Sequence, residues 1–301
     1  MRNTAASIRQ RLLNLAAVRG VAFNRVLVQY GIERLLYRLS KSKHAESFVL
    51  KGAMLFVLWQ GTQHRETRDV DLHGFGDHSL DEVKRMFEDI CSTAVVDDGL
   101  MFEGVSVSAI TALQGYGGVG VRIVARLEAA RITVNVDVGF GDKITPRPER
   151  VDFPVLLDLP PPQIRAYPAE TVVAEKLHAM VVLGERNTRM KDFFDVLYLA
   201  KNFEFEGTVL LEAVQGTFQR RRTPLPAALP IALTDTFAKS NEGMWSAFLR
   251  RSRQEQTTTF AEVILEIREF VEPVLRAAES GQTYAVQWKM GGPWTTAFAT
   301  E

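Results

Sequence analysis

Apolar side chains recur at three- and four-residue spacing over the first forty residues of the chain, as in Phe23, Val26 and Tyr30. Such spacing is typical of amphipathic helices, because 3.6 residues complete one helical turn and bring these side chains onto one face. The pattern predicts two helices, one over residues 4–19 and one over residues 22–39.

The next segment combines short apolar runs with turn residues. Residues 48–50 are apolar and lead to a turn at Gly52 and a buried helix that ends near Gly61. In the stretch RETRDVDLHGF, polar and apolar side chains then alternate from Asp69 to Leu72 and predict a strand. Because the side-chain period of a strand is two, Asp69 and Asp71 should project from one face of it.

Two further patterns define the elements that follow this strand. Ser79 with Glu82 three residues later is typical of a capping box and predicts a helix that reaches about Cys91. Beyond it, three alternating segments rich in β-branched residues predict mostly antiparallel strands. These segments are residues 104–110, 120–127 and 131–140. On the last of them, Asp137 should face away from the valines on either side of it.

The second half of the chain has a helical pattern. A stretch dense in proline, residues 146–168, predicts a linker that separates it from the first half. Helical spacing then dominates. It is found in residues 169–183, 191–201, 207–219 and 257–277.

Composition limits the class of protein. At 301 residues the chain is long enough for one large domain or two of ordinary size. Cys91 is its only cysteine, so no disulfide can form within the chain, and we expect a cytoplasmic location. The amino end lacks the uninterrupted apolar core of a signal peptide. The longest apolar run, FVLKGAMLFVLW, contains Lys51 and is too short to span a bilayer, so we expect a soluble protein without a membrane partner.

The charges are balanced overall but segregated along the chain. Residues 1–51 contain ten lysines and arginines against two acids, a balance of +8. Residues 66–103 contain eleven acids against three bases, a balance of −8. A basic flank beside an acidic centre suits an anionic partner held next to a metal-loaded site. The alternative is that both blocks are solvated helix faces.

The pattern that indicates a specific chemistry is formed by three acids, Asp69, Asp71 and Asp137. Carboxylates held close together repel and raise one another's pKa, and such an arrangement usually accompanies a bound cation. Two-metal phosphoryl or nucleotidyl transfer requires shared carboxylate ligands of this kind. The pattern predicts binding of Mg²⁺, with Mn²⁺ as a substitute. Gly52 opens the buried helix upstream, whose backbone N–H groups are suited to a triphosphate.

These motifs together resemble the AbiEii/AbiGii toxin family of nucleotidyltransferases, within the DNA polymerase β-like superfamily. The matching stretches are FVLKGAMLFVLW, RETRDVDL, ITVNVDVGFGD and AEKLHAMVVLGERNTRMKDFFDVL. The resemblance extends from about Ser7 to past Asp195 and more loosely beyond. It implies an α+β fold with a polymerase β-like nucleotidyltransferase core, a mixed sheet and a helical carboxy-terminal part that completes the active site. We therefore predict a core over residues 1–150 and a mainly helical part over residues 151–301.

The resemblance also implies roles for single residues. Gly52 matches the glycine of the first motif and Lys176 the lysine that contacts phosphate. Asp69 and Asp71 match the metal-binding pair, and Asp192 matches the acid of the last motif. Ala53 stands where the superfamily often has serine or glycine. The loss of a hydroxyl ligand there would place more of the triphosphate binding on backbone N–H groups and lysine.

Structural roles would explain some of these residues equally well. Lys176 has core-like neighbours, so it fits a lysine with a buried stem and an exposed head. Arg189, Asp192 and Asp195 are spaced three apart, and exposed ion pairs on one helix face would explain this spacing. The triple arginine at residues 220–222 predicts an exposed basic loop.

The predicted function is that of a toxin in a toxin–antitoxin pair, with an antitoxin as its partner. It would transfer a nucleotide from a nucleoside triphosphate to RNA, with the 3′ end of transfer RNA as the expected acceptor. The basic amino-terminal block would contact RNA phosphates. Its candidate contacts are Arg9, Arg11, Arg19, Arg34, Arg38, Lys41 and Lys43. The alternatives are transfer to a protein side chain or a small-molecule hydroxyl, and a non-catalytic scaffold that only binds nucleotide.

Overall fold

The computed structural model describes residues 4–60, 69–77, 79–110, 117–252 and 258–296. Contacts divide the chain into two compact units. The sheet unit comprises Met1–Gly141 and Pro148–Tyr167, and the helical unit comprises Asp142–Arg147 and Pro168–Glu301. None of the helices in the described part of the chain is long and apolar enough to cross a membrane.

The sheet unit contains four helices and seven strands within the described residues. In chain order these are α1 (Thr4–Arg19), α2 (Phe23–Lys41), β1 (Phe48–Lys51), α3 (Met54–Gln60), β2 (Asp69–Gly74), α4 (Leu80–Ser92), β3 (Leu100–Ile110), β4 (Gly118–Leu127), β5 (Ala130–Phe140), β6 (Glu149–Asp152) and β7 (Gln163–Ala166). Within the described residues, the predicted helices and strands of this half are confirmed; Gly61 and the residues before Asp69 in RETRDVDLHGF lie outside the described part of the chain. At the predicted cap of α4, the Ser79 hydroxyl accepts a hydrogen bond from the Glu82 backbone N–H.

The strands form one mixed sheet in the order β3-β4-β5-β2-β1-β7-β6. Strand β2 is parallel to β5, and β1 is parallel to β7, whereas the other neighbouring pairs are antiparallel. Valines alternate along β5 with polar residues, and Val134, Val136 and Val138 are buried. Helix α2 packs on this apolar face at Gly31, where a β-carbon would lie 3.0 Å from Val134. The predicted mixed sheet is confirmed.

The proline-dense segment is part of this sheet rather than a linker. Strand β7 pairs with β1 at Leu50 and Ala166, and β6 pairs antiparallel with β7 at the sheet edge. Proline is excluded from central strands because it cannot donate to the ladder. Here the prolines lie outside the paired residues 149–152 and 163–166. The prediction of a linker at this point was therefore wrong.

The helical unit contains α5 (Ala169–Leu183), α6 (Met190–Asn202), β8 (Phe205–Glu206), α7 (Gly207–Arg220), α8 (Asp235–Arg251), α9 (Phe260–Ser280), β9 (Val286–Trp288) and β10 (Trp294–Thr296). The predicted helices are confirmed, and α8 is additional. Helix α8 contributes Trp245, which is fully buried and stacks on Phe260 of α9 with ring centroids 5.3 Å apart. The prediction of an α+β fold with a helical carboxy-terminal part is confirmed.

Candidate active site

Three neighbouring strands of the sheet unit place chemically active side chains in one row. Asp71 of β2 lies opposite Asp137 of β5 in parallel register and opposite Lys51 of β1 in antiparallel register. Residues in register on neighbouring strands point to the same face of a sheet. Asp69 lies two residues before Asp71 and shares this face. The structure therefore brings the three predicted acids onto one face, opposite the face covered by α2.

Asp69 is held by a side chain of the neighbouring strand. Asn135 of β5 is in register with Asp69, and its Nδ2 donates a hydrogen bond of 3.1 Å to Asp69 Oδ1. Asp69 is exposed and Asp71 is half-buried. Asn135 thus orients one acid of the pair and leaves its carboxylate accessible to solvent.

The environment of Asp137 disfavours its ionised form. Its carboxylate reaches solvent, but partial desolvation, followed by the charges of Asp71 and then Asp69, raises its pKa above the ordinary value. Shared negative charge is therefore concentrated at the centre of the row. A positively charged ligand would relieve this repulsion.

The turn after β1 lies against the carboxylate of Asp71. Gly52 has a φ of 71°, a left-handed conformation that glycine adopts without steric cost. A β-carbon at Gly52 would lie 2.6 Å from Asp71 Cγ, which is closer than such atoms approach. Ala53 follows and is buried. Only glycine lets this turn and the Asp71 carboxylate coexist.

Lys51 is a candidate that the sequence pattern did not single out. Its Nζ lies 5.8 Å from the centroid of the Tyr167 ring, and a β-carbon at Gly139 would lie 3.0 Å from this Nζ. The ammonium group therefore lies over the same sheet face as Asp71 and Asp137. Its position in the sequence could have identified it, because Lys51 immediately precedes Gly52 and ends a strand that is otherwise buried.

In the helical unit, Lys176 lies between two buried acids. Its Nζ is 2.8 Å from Asp192 Oδ1 and 2.8 Å from Asp195 Oδ2, and both acids are 0% exposed. Arg189 Nε lies 2.6 Å from Asp192 Oδ2. The prediction of an exposed ion pair here is corrected, because α5 and α6 enclose both carboxylates. Asp195 is a member of this cluster that the predicted catalytic set omitted.

Two of the predicted RNA contacts lie in the interior. Arg34 NH2 is 2.8 Å from Glu33 Oε1, and both side chains are 1% exposed. Arg38 makes two hydrogen bonds to Asp98, of 2.6 and 3.0 Å, and is also buried. Neither guanidinium can reach an RNA phosphate from this position. The prediction of Arg34 and Arg38 as phosphate contacts is therefore corrected, and their role is structural.

Of the other candidate contacts, Arg9 is half-buried and the rest are exposed, but several have acidic partners. Lys43 Nζ lies 2.9 Å from Asp89 Oδ2, and Arg11 NH2 lies 3.1 Å from Asp158 Oδ2. Lys41 is exposed, with its Nζ 5.6 Å from the centroid of the Tyr37 ring. The balance of +8 along the sequence therefore overstates the positive charge that this block presents to a partner.

The carboxylate oxygens of Asp69, Asp71 and Asp137 suit a hard cation such as Mg²⁺. Among the described residues, no group of three or more histidine, cysteine, aspartate or glutamate side chains is arranged so that it could hold a metal ion by itself. Mg²⁺ rarely uses such a cage; it binds one or two carboxylates and keeps water or substrate phosphate as its other ligands. Carboxylate oxygens on one face, with a raised pKa at Asp137, match that requirement.

Comparison with known proteins places the chain among nucleotidyltransferases. The family model described as "Nucleotidyl transferase AbiEii toxin, Type IV TA system" matches residues 34–272. A candidate nucleotidyltransferase from H. pylori has a similar structure, with 15% identity, a TM-score of 0.48, and coverage of 87% of this chain and 98% of that chain. JHP933 from Helicobacter pylori matches with 15% identity, a TM-score of 0.45, and coverage of 82% and 90%. No curated protein matches the chain.

Proposed function

The chain belongs to the AbiEii family of nucleotidyltransferase toxins from type IV toxin–antitoxin systems, and from this premise we propose that it transfers a nucleoside monophosphate to the 3′ end of transfer RNA. The observation that carries this proposal is the row formed by Asp71 and Asp137 in register, with Asp69 on the same face. Acids in such a row suit transfer of a phosphoryl group between two oxygen atoms.

The acids have separate roles in the proposed reaction. Asp69 and Asp71 would hold a divalent cation, Mg²⁺ or Mn²⁺, with Asp137 as a further ligand, and the cation would supply positive charge to the phosphates and to the attacking oxygen. The acceptor hydroxyl oxygen forms a bond to the α-phosphorus, and the bond from that phosphorus to the pyrophosphate oxygen breaks. The hydroxyl proton leaves to solvent, and Asp137 would help to position the cation nearest this hydroxyl.

We propose that backbone N–H groups and the ammonium group of Lys176 bind the nucleoside triphosphate. The turn at Gly52 and Ala53 would contact the phosphates through its backbone N–H groups, because neither residue has a side-chain donor. Lys176 neutralises part of the triphosphate charge. Asp192 orients Lys176 through the hydrogen bond of 2.8 Å that it accepts from Nζ.

The proposed biology follows from this chemistry. A nucleotide added to the 3′ end of transfer RNA blocks the hydroxyl that receives an amino acid, so expression without the cognate antitoxin should stop growth. Substitution of Asp69 with alanine should relieve that toxicity. The enzyme is expected to act in the cytoplasm, where its RNA acceptor and nucleoside triphosphates are found.

A labelling experiment tests the acceptor. Purified protein is incubated with Mg²⁺ and each α-labelled nucleoside triphosphate in turn, with total transfer RNA in one series and protein extract in another. We expect label on RNA with one or more triphosphates, and no label when the terminal hydroxyl of the RNA is blocked. Label on protein, or on a small molecule, would instead support the alternative acceptors.

Matched variants test the site. Asp71→Asn and Asp69→Asn should each lower transfer by at least about 100-fold, as removal of a group that stabilises transition-state charge commonly does. Asp152→Asn is the control, because Asp152 is also an exposed strand aspartate but lies on β6 at the sheet edge. Near-normal transfer by a folded Asp71→Asn protein would contradict the assignment.

A further inference from the structure

A second basic segment of the chain differs from the amino-terminal block in how its charges are arranged. Residues 220–222 are three arginines at the end of α7, and Lys143 belongs to the short segment 142–147 of the same helical unit. Lys143, Arg220 and Arg222 are exposed. The central arginine, Arg221, is half-buried and serves as an anchor, which corrects the prediction of a wholly exposed loop.

Arg221 ties the two segments together. Its Nε and NH2 donate hydrogen bonds of 3.1 and 2.9 Å to Asp142 Oδ1. Lys143 directly follows Asp142, and Arg220 and Arg222 flank Arg221 in sequence. The ion pair therefore gathers three exposed cations at the carboxyl end of α7.

A neutral histidine completes the anchor. Burial and the neighbouring Arg221 guanidinium lower the pKa of His178 to about 4, so its ring is uncharged at neutral pH. Arg221 NH1 lies 3.3 Å from His178 Nδ1, and His178 Nε2 lies 2.8 Å from Thr223 Oγ1. In the neutral ring one nitrogen accepts and the other donates, which matches Arg221 on Nδ1 and Thr223 on Nε2. The anchor thus holds residues on both sides of Arg222.

Lys143 and Arg222 are also fixed by their local backbone. Gly216 of α7 forms a notch for the Lys143 stem, since a β-carbon there would lie 2.8 Å from Lys143 Cδ. The backbone N–H of Thr145 donates a hydrogen bond of 2.9 Å to Thr171 Oγ1, which fixes the segment behind Lys143. Arg222 has a φ of 51°, a conformation that residues other than glycine rarely adopt.

We propose that Lys143, Arg220 and Arg222 form a basic surface that binds the phosphodiester backbone of the RNA acceptor. This inference rests on the proposed function, since RNA is the acceptor there. Exposed cations gathered on one surface suit the phosphates of a nucleic acid, which supply most of the affinity in nucleic-acid binding. A protein partner is less suited, because protein interfaces have apolar centres. Among the described residues, no large exposed apolar side chain lies within 142–147 or 216–224.

The test is binding of total transfer RNA as a function of salt concentration. The triple variant combines Lys143→Gln, Arg220→Gln and Arg222→Asn, with asparagine chosen because it tolerates a positive φ. Each lost phosphate contact reduces the log–log salt slope by roughly 0.7 to 0.9, so we expect a decrease of about two units or more. The KM for transfer RNA should rise at least about tenfold, whereas binding of the nucleoside triphosphate should not change.

A control variant with the same change of charge removes one lysine and two arginines from α8. Lys239→Gln, Arg250→Gln and Arg251→Gln are exposed substitutions in the same unit, and they should leave slope and KM unchanged. Equal thermal unfolding midpoints would show that all the proteins are folded. If the parent labels RNA but the Lys143 triple variant keeps the same salt slope and the same KM for transfer RNA, the proposed basic surface is wrong. The proposed function would then remain intact. A parent that neither binds nor labels RNA would overturn both.

Discussion

The carboxylate of Asp71 lies in the space where any residue other than glycine at position 52 would carry its β-carbon. Gly52 lies in the turn after β1 and Asp71 lies on β2, and the antiparallel register of β1 and β2 brings them together. The φ of 71° at Gly52 supplies a second reason for glycine. The first motif of the chain and its two-acid motif are therefore parts of one steric arrangement.

Gly52→Ala should disable the enzyme while leaving it folded. The positive φ should cost about 1 kcal/mol of unfolding free energy, and the new methyl group must displace the Asp71 carboxylate. We expect transfer to fall by about 100-fold or more. Gly20→Ala is the control, because Gly20 has a φ of 61° with no atom within 4 Å of the added carbon. Equal activity in the two variants would show that Asp71 does not need its present position.

Asp137→Asn should raise stability while it abolishes transfer. Burial and the charges of Asp71 and Asp69 raise the pKa of Asp137, so the folded protein binds this proton more tightly than the unfolded chain. The stability contribution of Asp137 is therefore lost as pH rises through its raised pKa. The neutral amide removes that loss, and the thermal unfolding midpoint at pH 7 should increase. An unchanged or lower thermal unfolding midpoint would show that the three carboxylates do not destabilise one another.

Lys176 should be essential for both folding and transfer, and a pair of variants separates these roles. Lys176→Met leaves Asp192 and Asp195 buried without their shared ammonium group, which should cost about 3–5 kcal/mol of unfolding free energy. Adding Asp195→Asn removes one buried charge and should recover part of that loss. Denaturant unfolding measures the stability, and transfer should remain absent in the double variant. Full transfer in the stabilised double variant would show that Lys176 is only structural.

Arg38→Ala should destabilise the protein much more than Lys41→Ala. Removal of Arg38 leaves the buried Asp98 carboxylate without its charged partner and the two hydrogen bonds that Arg38 donates, at a cost of about 3–5 kcal/mol. Lys41 is exposed, and its removal should change the unfolding free energy by less than about 0.5 kcal/mol. Denaturant unfolding of both variants measures the difference. Similar values would mean that Arg38 is not enclosed as described.

Glu33 should make stability depend on pH below neutrality. Burial, opposed by the Arg34 guanidinium, raises the pKa of Glu33 from 4.5 to about 7. The folded state therefore holds this proton more tightly, and stability from Glu33 is lost as pH rises from about 4.5 to 7, by up to about 3 kcal/mol. Glu33→Gln cannot titrate, so its unfolding free energy should fall less over this range. If the unfolding free energies of parent and variant change equally with pH, the pKa of Glu33 is not raised.

The sequence by itself determined the local elements and the sharing of one strand face by Asp69 and Asp71. These features depend on periodicities of 3.6 and two residues, which a chain carries in its order of side chains. The predicted helices and strands agree with the structure to within a few residues, apart from α8, β6 to β10 and the longer β3. Helix α8 was not predicted, although its buried residues recur at three- and four-residue spacing; the polar Asn241 interrupts the apolar stripe between Phe237 and Trp245.

Only the tertiary structure decided which distant residues meet. The parallel pairing of β2 with β5 sets Asp71 opposite Asp137, and no local pattern specifies that these strands are neighbours. The same applies to Arg38, whose partner Asp98 lies 60 residues away and turns an apparent surface cation into a buried one. The physical reason is that strand pairing and burial are long-range properties: a charged side chain is exposed or enclosed according to the elements that pack around it, and the composition of its own segment does not reveal them.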